Sequence, residues 1–257
     1  MEPLKPVSAS VRVLLGIGFF ALFIGLWTLV TLGGYVQPLF LASPGRALAA
    51  GWSLFTEYNF LGDIGMTVWR VLGGFLVAAA FAVPLGLMMG AYKPVEAFFE
   101  PFISFARYLP ASAFIPLLIL WAGVGEAQKL SVIILGSVFQ IVIMVAVIAG
   151  ATRIDLVEAA YTLGARQGGI LRRVIIPAAA PQVMEALRLV LGWAWTYVIV
   201  AELIGAQSGI GHMIMDSQRL LDTGQMIFGI VVIGVIGLVT DLLFKALNRR
   251  LFRWASL

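Results

Sequence analysis

The chain has 257 residues, 61% of them hydrophobic and only 12% charged, with a mean hydropathy of +1.01. A water-soluble domain of this size cannot bury that much apolar surface, so lipid must be part of its solvent. There is no cysteine, which excludes a disulfide framework and thiol chemistry.

Stretches free of Asp, Glu, Lys and Arg run 13–45, 71–92, 108–125, 130–152 and 223–240. Each can supply the roughly 20 apolar residues that cross a hydrocarbon core about 30 Å thick. A sixth, 189–201, has 13 residues between Arg188 and Glu202. At about 1.5 Å per residue it is too short, so a full span there takes in one of those charges. None of the runs alternates apolar with polar, which excludes a membrane barrel. An all-α integral membrane protein with about six transmembrane helices is expected, as one domain over 1–257 with its core at about 60–245.

Residues 1–12, with Lys5 and Arg12, precede an apolar run too long for a cleavable signal, so an uncleaved first span over 13–33 is expected. An outer segment, 34–65, holds Pro38, Pro44, Gly45, Glu57 and Asp63, and 46–61 reads as a short amphipathic surface helix. Span two, 66–90, carries Arg70 near its outer end, where the long side chain can snorkel to water. It also has Pro84 and Gly86-x-x-x-Gly90, small residues that permit close helix approach. An inner loop with Lys93, Glu96, Glu100 and Arg107 is expected over 91–107. Span three, 108–124, contains Pro110 and Pro116 and should be kinked or broken. A tight outer turn with Gly123, Gly125, Glu126 and Lys129 leads to span four, 130–150, whose strongly polar side chain near mid-depth is Gln140. An inner loop 151–182, span five at 183–204, an outer loop 205–222 and span six at 223–243 follow. The tail, with Lys245, Arg249, Arg250, Arg253 and Trp254, is a basic and aromatic interfacial anchor.

With the N-terminus in the cytoplasm, thirteen of the 17 basic residues fall inside, and Arg46, Arg70, Lys129 and Arg219 fall outside. That asymmetry places both termini in the cytoplasm. It also accounts for the net charge of +4 and the pI near 9.6 without a nucleic-acid partner.

The inner loop 151–182 is the segment richest in punctuation. Asp155 and Glu158 read as a capping pair at a helix start. Leu156 to Leu163 makes about two turns, and Gly164 is placed to end them in a left-handed cap. Gly168-Gly169 interrupts again, Ile170 to Ile176 can form another short helix, and Pro177 and Pro181 set the approach to span five. The product is a capped stub with a compact Ala159-Ala160 surface, flanked by Arg166, Arg172 and Arg173. Such a stub suits docking in another protein's groove, and the same residues fit a basic loop resting on lipid headgroups.

The string from Glu158 to Pro177 resembles the EAA loop of ATP-binding-cassette (ABC) importer permeases. Glu158-Ala159-Ala160, Gly164, Val174, Ile176 and Pro177 meet every spacing, with Val174 and Ile176 where Ile and Leu are usual. The likeness runs from about 60 to 254. Thr67-x-x-Arg70-Val71-Leu72-x-Gly74-Phe75, Pro116-Leu117, Gly123-x-Gly125-Glu126, Ala201-Glu202, Gly209-Ile210-Gly211 and Ile233-Gly234-x-x-Gly237 to Asp241 are similar to the nitrate/sulfonate/taurine/bicarbonate branch. His212 stands where many of that branch have an aromatic residue.

The resemblance implies a type I importer permease of the bacterial inner membrane, acting as a homodimer on a small anionic or zwitterionic solute. It implies two cytoplasmic ATPase subunits that bind ATP and Mg, and a periplasmic or lipid-anchored substrate-binding protein. It also makes Glu158, Ala159, Ala160, Tyr161, Gly164, Ala165, Arg166 and Pro177 the contacts that couple the permease to its ATPase. No lysine follows a glycine, so this chain has no phosphate-binding loop of its own and is not expected to be an enzyme.

Polar groups at membrane depth usually face a protein interior or a water-filled cavity. Gln140, Trp193, Trp195, Tyr197 and Glu202 are therefore candidates for the translocation pathway, the tryptophans also being ordinary packing residues. Glu202 either gates the outer end or pairs with Arg70 or Arg219. Gln207, His212 and Arg219, near Asp216 and Asp222, are candidates for contact with the binding protein or a solvated rim. His212 has neither cysteine nor second histidine beside it, so a histidine metal site is not expected. An ion-coupled secondary transporter is the alternative, although its spans should carry more buried ionisable groups.

Overall fold

The computed structural model describes residues 7–255, which contain helices and turns and no strand. Lys5 lies outside the described residues. Five helical runs are long and apolar enough to cross a membrane: α1 (Ala9–Leu32), α3 (Phe60–Ala91), α6 (Glu126–Gly150), Gln167–Leu203 and α11 (Thr223–Leu251). A sixth span exists if α4 (Lys93–Ala106) and Ala111–Ala122, bent by 82°, count as one.

The described residues fall into two compact units, one of Met1–Phe60 with Ile214–Val231 and one of Leu61–Met213 with Val232–Leu257. The sequence offers no boundary between them, because α11 runs through both. In the first unit, Ser8 caps α1 and Ser43 caps α2 (Pro44–Glu57), each through a hydroxyl that accepts from a backbone N–H three residues on. The Trp27 indole donates to Ala42 O at 3.0 Å and ties the two helices together. Phe55, Phe60 and Phe228 cluster beside Gly51, where a Cβ would strike the Phe228 ring.

The second unit is built on α3, α6 and α9 (Ile176–Leu203), which share a core including Val71, Phe75, Ile133, Val142, Val190 and Val198. Gly86 and Gly90 let α3 meet α6 backbone to backbone. A Cβ at Gly86 would stand 2.7 Å from Val142 O, and one at Gly90 would strike Ala146 O. The small-residue pair is thus a contact between neighbouring helices of one chain.

Three expected loops contain helix instead. Most of residues 91–107 form α4, because Val95, Phe99, Ile103 and Ala106 recur at helical spacing and bury one stripe. Residues 205–222 contain α10 (Ile210–Arg219). Span five starts at Ile176 rather than near 183, with Pro177 at a first-turn position that tolerates a missing N–H. The five residues before it, Leu171–Ile175, are wound wider, and Ile176 N–H reaches back to Leu171 O.

Candidate functional site

Helix α7 (Ile154–Thr162) follows α6 after a short turn. It begins one residue before the expected cap, so Asp155 sits inside the first turn, where a carboxylate favours the helix dipole. Its partner is Arg153, whose Nη2 donates to Asp155 Oδ2 at 2.5 Å and Nε to Oδ1 at 3.1 Å. The Arg153 guanidinium holds the Asp155 carboxyl below the usual carboxylate range, with a smaller contribution from the Leu156 N–H.

The other end closes as expected. Gly164 has φ +80°, its N–H donates to Tyr161 O at 2.9 Å, and the Ala165 N–H reaches Ala160 O at 2.9 Å. This pair of bonds is the Schellman arrangement, which satisfies carbonyls a helix end otherwise leaves open. Val157, Ala160 and Ala165 pack on Ala149, Ile170 and Ile175, so one face of the stub is anchored to its own chain. Glu158, Ala159 and Arg166 lie on the exposed side with Ile154 (69% exposed), Tyr161 (52%) and Leu163 (88%). Those apolar groups form a patch of the kind that another protein covers.

A second constellation joins α3, α6 and the end of α9. Arg70, 1% exposed, donates from Nε and Nη2 to the two Glu126 oxygens at 2.7 and 2.6 Å. Its Nη1 donates to Glu202 Oε1 at 2.8 Å and to Ser208 O at 2.7 Å. Glu202 also accepts from Thr67 Oγ1 at 2.9 Å and from the Gly211 N–H at 2.8 Å. Thr67 Oγ1 in turn accepts from Ile210 N–H, and Asp63 Oδ1 accepts from Gly209 N–H at 2.6 Å. Gly209, at φ +115°, is required here, because a Cβ would lie 2.5 Å from Glu202 Oε1 and 2.6 Å from Arg70 Nη1. Lys129 adds a second cation 3.7 Å from Glu126. Two cations face two carboxylates, and the cluster pins the turn after α9 to α3 and α6. Glu202 therefore has Arg70 as its partner.

The remaining sequence candidates scatter. Gln140 and Tyr197 line a cavity of about 360 Å³ with Arg107, Ser112 and Thr196. Trp193 is exposed on α9 away from that cavity, whereas Trp195 is buried in the α3–α6–α9 core. Gln207 is exposed in the turn before α10, and His212 and Arg219 lie on α10, the latter 3.3 Å from Asp216. Among the described residues no group of three His, Cys, Asp or Glu is arranged to hold a metal ion. Sequence reasoning missed Arg107, which it assigned to an inner loop. The signal was Pro110, which breaks the span beside it.

Apolar spans, one of them broken, with a capped, partly apolar stub between two of them, fit a membrane transport subunit. The chain belongs to the binding-protein-dependent transport system inner membrane component family, whose model matches residues 82–253. It is a multi-span permease of an ABC importer.

It is 39% identical over 237 residues to a probable ABC transporter permease protein of Brucella melitensis biotype 1, covering 91% of this chain and 94% of that protein. It is 33% identical to the taurine transport system permease protein TauC of Escherichia coli (strain K12), covering 95% of this chain and 91% of that one. Its fold is that of a chain in the MetNI methionine ABC transporter in an inward facing conformation. That match has a TM-score of 0.66 and 18% identity, and covers 75% of this chain and 97% of the other.

Proposed function

We propose that this chain is the translocation subunit of an ATP-driven importer for a small oxyanion-bearing solute of the nitrate, sulfonate, taurine or bicarbonate type. Two copies form the pathway, both termini face the cytoplasm, and two partner ATPases bind ATP and Mg. A separate binding protein delivers the solute from the opposite side, with Gln207, His212 and Arg219 on the surface it meets. The likeness to a permease named for taurine transport supports the substrate class.

One observation carries the coupling role. Helix α7 is anchored by Val157 and Ala160 on one face, ended by a left-handed glycine, and leaves Ile154, Tyr161 and Leu163 uncovered on the other. A rigid stub of this kind seats in an ATPase groove and transmits its movement to α6 and α9, the spans it connects. Glu158, Ala159, Ala160, Tyr161, Gly164, Ala165 and Arg166 form or shape that seat, and Pro177 fixes where α9 begins.

The test is ATP hydrolysis by the permease copurified with its ATPase, comparing wild type with Glu158→Lys and Gly164→Asp. Both variants should lose association, or hydrolysis should fall to the unstimulated rate, while each still inserts in the membrane. Normal binding and stimulation by both would remove α7 from the coupling role.

A further inference from the structure

Arg107 closes α4, and Tyr108, Leu109 and Pro110 separate it from the short 3₁₀ turn Ala111–Phe114 and α5 (Ile115–Ala122). The break stands beside the middle of α6. The cavity beside it is walled by Gly136 and Gln140 of α6 and by Thr196 and Tyr197 of α9. Gln140 stands about 21 Å along α6 from Glu126 and about 15 Å from Gly150, counted at the helical rise. A guanidinium at that level is more than a side chain's length from either end of the span, which argues against snorkelling to a headgroup.

The cations packed inside this unit are neutralised by carboxylates: Arg70 by Glu126 and Glu202, Lys129 by Glu126, and the partly buried Arg188 by Glu185 and Asp241. Arg107, on the wall of the cavity, has no such partner among the described residues. It lies over the Tyr108 ring at 4.7 Å and donates one hydrogen bond, from Nη2 to the Tyr108 hydroxyl at 2.7 Å. Among the described residues it has no carboxylate within 4 Å, and no Asp or Glu lines the cavity. One of its five N–H donors is thus committed, and the side chain is exposed.

The walls add neutral hydrogen-bonding groups: the Gln140 amide and the Ser112 and Tyr197 hydroxyls. The volume, about 360 Å³, is within the range of about 300–1,000 Å³ typical of small-molecule sites. Non-helical backbone at membrane depth is stable only where it is buried in protein or lines a watery cavity. The α4–α5 break meets that condition here.

We propose that this cavity is a binding station for one small oxyanion, with the Arg107 guanidinium as its cationic ligand and Gln140 and Ser112 as neutral donors. Tyr108 holds the guanidinium in place. The proposal rests on the oxyanion-importer reading above and names the residues that would hold the solute between delivery and release. Arginine fits a sulfonate or carboxylate because its planar donors can address two oxygens at once.

The chain's lack of cysteine makes a direct test simple. Ser112→Cys in the full chain, reconstituted in phosphatidylcholine vesicles, is labelled with an anionic sulfonatoethyl or a cationic trimethylammonium-ethyl methanethiosulfonate. The anionic reagent should react faster. The ratio of the two rates should fall roughly tenfold when Arg107→Gln is added, as expected for losing one nearby charge, and should survive Arg107→Lys. Ethanesulfonate or nitrate, but not choline, should slow the reaction, and Gln140→Leu should weaken that protection.

A ratio near one in the Ser112→Cys chain, or one indifferent to Arg107→Gln in a monodisperse protein, overturns the station. So does a charge preference that appears only when phosphatidylglycerol is added, since the ligand is then a headgroup. The substrate reading fails separately. If protection holds while the assembled importer takes up none of taurine, ethanesulfonate, nitrate or bicarbonate, the station stands and the assigned solute class does not.

Discussion

Arg70 is held by acceptors of three residues at once, so its removal strands more than one charge. With both Arg70 and Glu202 at 1% exposure, neither can turn to water for compensation. Breaking a buried pair by deleting one partner typically costs about 3–5 kcal/mol, whereas removing both can be nearly neutral. Arg70→Met should therefore lower the thermal midpoint in detergent sharply. Arg70→Met with Glu202→Met should recover part of the loss, because Glu126 keeps Lys129 at 3.7 Å. A double variant as unstable as the sum of the singles would show that the cluster's role is not charge compensation. The pairing itself was half-visible in the sequence. Glu202 follows an apolar run too short to cross the membrane, which marked it as embedded, but two arginines could meet it and only the fold brings Arg70 there. The third acceptor, Ser208 O, was invisible, since backbone carbonyls carry no sequence signal.

At the scale of elements, the long spans were legible from apolar runs, as was the Gly164 end of α7, while α4, α10 and the start of α9 were not. Charge was the misleading cue. Lys93, Glu96, Glu100 and Arg107 made 91–107 look like a loop, although the stripe Val95, Phe99, Ile103 and Ala106 has helical period. Asp216 and Arg219 hid α10 in the same way. Proline misled in the same sense at Pro177 and Pro181, which α9 accommodates by widening the turn before Ile176.

Gly86-x-x-x-Gly90 brings the backbone of α3 against that of α6. Its neighbours there are backbone carbonyls, which cannot rotate aside. Gly90→Val should accordingly cost about 1–3 kcal/mol by overpacking. Gly18→Ala in α1, with nothing within 4 Å of the added carbon, should be neutral or slightly stabilising. Thermal melts of the two variants in the same detergent compare them directly. Equal tolerance at both positions would mean that α3 and α6 are not in backbone contact.

For the whole molecule, the distribution of charge is sharper once the structure sorts basic residues by environment. Orientation rules count loop charges near the ends of spans, not charges neutralised inside the bundle. Arg70 and Lys129 belong to the buried cluster, so the outer side retains Arg46 and Arg219, both exposed. Arg107 moves from the inner loop to the α4–α5 break and leaves the count on that side. Arg153, Arg166, Arg172 and Arg173 around α7 stay, as do Arg249, Arg250 and Arg253 in the tail. The bias is thus steeper than the raw count of residues implied, and it predicts that α7 and both termini face the cytoplasm. Alkaline phosphatase fused after Glu57 should be active, and fusions after Gly164 or at the C-terminus should be silent. A C-terminal fusion to green fluorescent protein should fluoresce. An active phosphatase after Gly164 would put α7 on the side without ATP, and the coupling role would then have no partner to act on.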